Sequence, residues 1–214
     1  MLSGALGFIF FAVFASLFLE SFWSNAITLI NVILASLLAM SFFEPVAGLI
    51  DSQAPSFTYL WDYLALWLLF AIFYGILRLC TDFASRNRVK FRLPVEKVGQ
   101  ISCAALVAWV MVSFVLTSFH VAPLPAAPFN GGFCFSPEGR DFLTLSPDHY
   151  FLNFVQFTSR GPLARGPAAG AEKSPYPEDV GTNVFDPNSD FIPKYRQRRK
   201  NLESIPDSLR VAPQ

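Results

Sequence analysis

Four apolar runs separated by short polar steps fill the first 120 residues. The first, residues 4–19, reads GALGFIFFAVFASLFL; the others cover 26–43, 59–82 and 98–119. A transmembrane helix needs about 20 mostly apolar residues to cross about 30 Å of hydrocarbon. The pattern therefore predicts an all-α integral membrane protein with four transmembrane helices at about 4–20, 25–44, 59–82 and 98–120, forming a membrane domain over 1–122. No Lys or Arg precedes the first run, and the Glu20-Ser21-Phe22-Trp23 stretch after it makes a poor cleavage site, so a retained helix is expected rather than a signal peptide. The six residues Glu20 to Asn25 either turn the chain into a hairpin or break one long helix. Ser24 or Asn25 is the expected N-cap of the second helix. Glu44-Pro45 is its expected end, with Val46 to Thr58 a loop.

The pattern changes after residue 122. Residues 123–214 form a polar tail, largely irregular, with one or two short helices. Ser146-Pro147-Asp148 has the signature of a helix start, and Tyr150, Phe151, Phe154, Val155 and Thr158 follow at helical spacing. An amphipathic helix is expected over about 147–159, lying on the membrane surface or against the bundle. Residues of about 161–190 read as a flexible, low-complexity linker, and the basic segment KYRQRRKNLE as one further short helix.

Charge adds an orientation. Residues 1–122 hold six basic and six acidic side chains and 123–214 hold ten of each, so neither part points to a nucleic-acid partner. The basic residues of the membrane domain all lie between Arg78 and Lys97. Short loops rich in Lys and Arg stay in the cytoplasm. Arg86, Arg88, Lys90, Arg92 and Lys97 are therefore the expected topology determinants: loop 83–97 is cytoplasmic and both termini are outside. Tyr59, Trp61 and Tyr63 mark the opposite interface, while Arg78 and Asp82, four apart, can pair near the cytoplasmic one. The segment KYRQRRK reads as a solvated charged helix or as a contact for anionic lipid head groups.

Candidate chemistry is sparse. No ionisable residue falls in the middle of an apolar run, where a proton-coupled transporter usually keeps one. His120 and His149 have no partner at ligand or catalytic spacing, and Cys80, Cys103 and Cys134 form no CxxC pair. The expectation is no enzyme activity, no cofactor and no metal. Asn31 shares a helix face with Ala35 and Ala39, while Ala71 and Gly75 repeat the small-residue spacing in the third run. Such faces let helices approach closely, and an amide can hydrogen-bond across the contact. These five residues are candidates for helix packing or for lining a pore.

Two stretches carry a family resemblance. ESFWSNAITL follows the first run, and RLCTDFASRNRVKFRLPVEKVGQI lies between the third and fourth. Together they resemble the colicin V production (CvpA) family over about residues 5–120. That family's first turn typically reads Arg-Gly-Phe; Glu20-Ser21-Phe22 takes its place here, without the Arg. Glu96-Lys97-Val98-Gly99 is similar to the acidic–basic step with a following glycine that enters the family's last span. FFEPVAGLID and FDPNSDFIPKYRQRRK look like planctomycete members with an extended tail. The resemblance implies a bacterial inner-membrane protein linked to colicin V or toxin production, export or envelope maintenance. Its expected role is a non-enzymatic adaptor whose partners are the lipid bilayer and either itself or other envelope or export proteins. The alternative is a subunit of an oligomeric small-molecule or ion transporter with Asn31 facing the pore.

Overall fold

The computed structural model describes residues 2–53, 58–85, 93–124, 145–160, 185–186 and 189–204. These residues form six helices and no strand: α1 (Leu2–Leu17), α2 (Phe22–Gln53), α3 (Thr58–Ala84), α4 (Leu93–Val121), α5 (Pro147–Arg160) and α6 (Phe191–Ser204). Three helices are long and apolar enough to cross a membrane, at Phe22–Gln53, Leu60–Ala84 and Leu93–Val121; Leu2–Leu17 is a shorter apolar helix.

The chain reverses at residues 18–21, and α1 packs on α4 rather than on α2. Ser21, rather than Ser24 or Asn25, caps α2: its Oγ accepts the Ser24 amide at 3.3 Å. Asn25 points across the turn instead, donating from Nδ2 to the Leu17 carbonyl (3.0 Å) and the Gln100 carbonyl (3.2 Å). A buried amide with two such acceptors holds the turn against α4. The α1 helix runs back along α4, where Leu2 and Leu6 pack with Val112 and Leu116.

The second helix does not stop at Pro45. It continues to Gln53, and most of the expected loop 46–58 is helical. Proline in a helix interior removes one backbone bond and costs about 3 kcal/mol. Packing around it favours the helix here. Phe43 and Ala47 are buried on either side, and the Phe43 ring lies 6.4 Å from Phe191 and 6.5 Å from Tyr195 of α6. The 32 residues of α2 span about 48 Å, well beyond about 30 Å of hydrocarbon. The fourth helix begins at Leu93 rather than 98, with Pro94 in its first turn, so Lys97 is an exposed helical residue and not part of a loop.

The α2 and α4 helices are central and parallel. Antiparallel α3 packs mainly on α2, joined to it by Trp23 Nε1 to Ser85 Oγ (2.7 Å), Arg78 Nη1 to Thr28 Oγ1 (3.0 Å) and Asn31 Nδ2 to Thr81 Oγ1 (2.9 Å). Phe70 stacks on Phe114 at 4.6 Å and Trp67 meets it edge-on at 5.4 Å, tying α3 to α4. The outer face of α3 is the reverse of a soluble helix. Leu64, Leu68, Ile72, Ile76, Leu79 and Phe83 are exposed along its length. A contiguous apolar stripe of this kind suits lipid rather than water.

Candidate functional site: the docked tail

The two tail helices dock on the bundle, at the end formed by the late turns of α2, the start of α3 and the end of α4. Ser146 is buried as the N-cap position, and Pro147 opens α5 at the first helical position. One face of α5 buries Phe151, Leu152 and Val155. Phe151 meets Phe114 edge-on at 6.1 Å. Tyr150, Phe154 and Phe157 stay exposed on the outer face.

The polar anchor of α5 is Asp148. Its Oδ2 lies 2.8 Å from Nε2 of His120, and both side chains are fully buried. A buried polar pair of this kind is stable only when its members satisfy one another. His120 also belongs to the last turn of α4, whose carbonyls have no partner within the helix. Arg199 of α6 supplies one. Its Nη1 donates to the His120 carbonyl at 2.6 Å and reaches the Phe119 carbonyl at 3.4 Å. The guanidinium thus caps the negative end of the α4 dipole. Burial, with the nearby Arg196 cation, draws the Arg199 pKa below its ordinary value.

Two further cations of α6 reach acidic residues of the bundle. Arg198 Nη1 donates to Asp62 Oδ2, and Lys194 Nζ lies 2.6 Å from Glu44 Oε1. Tyr195 is buried between them, with its hydroxyl 3.4 Å from Glu44. Burial pushes its phenol pKa far upward, and the Asp62 and Glu44 carboxylates push the same way, so it stays protonated and can donate.

The return from α5 to α6 is pinned as well. Ser159 Oγ accepts the Phe185 amide at 3.0 Å, and Gln156 Nε2 donates to the Asp186 carbonyl at 2.6 Å. Asp186 and Ser189 take left-handed backbone angles of 46° and 53° in φ. Asp tolerates that region better than most side chains. Burial and the hydrogen bond with the Asp190 side chain push the Asp186 pKa up to about 6.

No protein-family model, no curated protein and no solved structure matches this chain.

The residues singled out from sequence fall in different places. Asn31, Ala35 and Ala39 are buried on one face of α2, with Asn31 bonded to α3. Ala71 is exposed and Gly75 half-buried, and a Cβ at Gly75 would meet nothing within 4 Å, so this pair makes no close helix contact among the described residues. Arg86, Arg88, Lys90 and Arg92 lie outside the described residues, as does most of the expected linker 161–190. The two stretches behind the family resemblance meet in space. Glu96 Oε1 accepts the Phe22 amide at 3.0 Å, and the Phe22 ring lies on Gly99.

Of the two places expected for the amphipathic helix, the structure shows the one against the bundle, while the docking of the basic helix α6 and the polar contacts that hold both helices were missed. Asp148 carried only the signature of a first-turn acid, and His120 had no partner at short spacing. One signal was present. Glu44, Asp51 and Asp62 form a stretch without cations, and KYRQRRK is its charge complement 130 residues later.

Proposed function

We propose that this chain is a multi-pass protein of the bacterial cytoplasmic membrane that acts as a non-enzymatic adaptor in export or envelope maintenance. On this reading it is similar in role to the colicin V production family. Loop 83–97 faces the cytoplasm, and both termini and the tail lie outside. The observation that carries the reading is the two-sided character of α6. Lys194, Arg198 and Arg199 face the bundle and hold the helix there, while Arg196, Gln197 and Lys200 are exposed on its outer side. A rigid polar helix held at the end of a membrane bundle is a platform for another protein. Support also comes from the use of Asn31 in an α2–α3 contact, where a packing role accounts for its amide.

The test has three parts. Alkaline carbonate leaves the protein in the membrane pellet; extraction by carbonate ends the reading. An impermeant thiol reagent labels Cys134 in intact spheroplasts; labelling only after lysis reverses the orientation. A photo-crosslinker at Gln197 gives one discrete heteromeric adduct in native membranes. Its absence, together with solute flux through purified protein in liposomes, favours the transporter alternative.

A further inference from the structure

A cleft of about 260 Å³ lies between α6 and the bundle. The last turns of α2 supply Glu44, Ala47, Gly48 and Asp51; Asp62 comes from α3, and Lys194, Tyr195 and Arg198 from α6. It lies beside the docking contacts, yet those contacts do not use all of its chemistry. Lys194 is matched to Glu44 and Arg198 to Asp62. Asp51 has no such match: its Oδ1 is buried and accepts no hydrogen bond. Three carboxylates against two cations leave the lining with one negative charge. Buried carboxylate oxygens are ordinarily hydrogen-bonded, and an orphaned one calls for a missing donor.

We propose that this cleft binds a small molecule or head group bearing a primary ammonium, with the Asp51 carboxylate as its principal acceptor. An ammonium is a compact cation with three donors and no acceptor, so it supplies both the charge and the hydrogen bonds the cleft lacks. A bare divalent ion fits less well. Calcium takes six to eight oxygen ligands, and here it would sit beside the Lys194 and Arg198 cations. The volume falls just below the roughly 300–1,000 Å³ of drug-sized pockets, which suits a small amine. Room for it comes from Gly48, where a Cβ would meet no atom within 4 Å. At 32 residues α2 is longer than about 30 Å of hydrocarbon requires, so its late turns can reach the head groups, and the ammonium can belong to a free amine or to an ethanolamine lipid head group. This inference does not depend on the adaptor reading.

The experiment uses the full chain in nanodiscs and reads thermal unfolding. Ethanolamine is titrated into phosphatidylcholine discs, and phosphatidylethanolamine discs are compared with phosphatidylcholine discs. Two variants accompany the wild type. Asp51→Asn removes the charge at constant shape. Gly48→Leu fills the cleft where no side chain stands in the way, so one fold-preserving probe remains if the other fails. The expected result is a saturable rise in Tm of the wild type that neither variant shows. A rise with ethanolamine in phosphatidylcholine discs assigns the site to a free amine; a rise confined to phosphatidylethanolamine discs assigns it to the head group. A response that both variants keep, no response of the wild type to either source, or a response to calcium alone overturns the proposal.

Discussion

His120 and Asp148 are 28 positions apart and meet at 2.8 Å with both side chains fully buried. This contact joins the last turn of α4 to the first turn of α5. Arg199 adds the other tail helix to the same point through the His120 carbonyl. One turn of α4 therefore holds both α5 and α6, and these two helices are part of the folded body.

Breaking this contact from one side leaves a polar group buried without its partner, at about 1–3 kcal/mol. Asp148→Ala should lower stability by that amount, read as a drop in Tm of the detergent-solubilised protein. His120→Ala should behave similarly. The double variant should cost less than the two single effects added, since the second change removes the group the first one orphaned. Strict additivity would mean that the two side chains do not act as a pair.

The three cationic ties of α6 should differ in weight. Lys194 and Glu44 are both about half exposed, and such pairs contribute at most about 1 kcal/mol. Arg199 is buried, and hydrogen bonds to charged groups contribute about 1.5–3 kcal/mol. Arg199→Met should therefore destabilise the protein more than Glu44→Gln, and high salt should weaken the Glu44 tie first. Unfolding curves at low and high ionic strength measure both.

A methyl group at Gly99 would lie 2.6–2.9 Å from the Phe22 ring, including its root carbon. Gly99→Ala should destabilise by about 1–3 kcal/mol, the usual cost of overpacking. Phe22→Leu in the same chain should recover part of the loss. A double-mutant cycle on Tm decides; equal losses with and without Phe22 would place the strain elsewhere.

Asp186 sets a pH dependence. Its folded pKa of about 6 lies above the ordinary 3.8, so between these values the folded state binds more protons than the unfolded state. Stability from this group is then highest below about 4, is lost as pH rises through about 6, and the group is destabilising at neutral pH. The wild type should gain Tm relative to Asp186→Asn as pH falls from 7.5 to 5. Parallel Tm profiles for the two proteins would show that Asp186 is not the group responsible.

Neutralising Arg86, Arg88, Lys90 and Arg92 together should scramble orientation, because these side chains hold four of the six positive charges in residues 1–122. Impermeant labelling of Cys134 in spheroplasts measures the fraction in each topology. Unchanged labelling would place the topological signal outside this segment.

What sequence made legible followed from local physics. Runs of apolar residues long enough for hydrocarbon marked the three long helices, because length and composition alone set that property. Ser146-Pro147 announced the start of α5 because capping acts within one turn. The Arg78–Asp82 pair at 3.1 Å follows from spacing on one helix.

Tertiary structure alone decided the rest, because it rests on contacts between distant residues. Pro45 lies inside α2, where the rings of Phe191 and Tyr195 pack over Phe43 from about 150 residues away in sequence. The basic segment KYRQRRK became a docked helix when Asp62, Glu44 and the end of α4 came together at one place. His120 gained a partner for the same reason. A buried group must be satisfied somewhere, but periodicity along a chain cannot say by which distant residue.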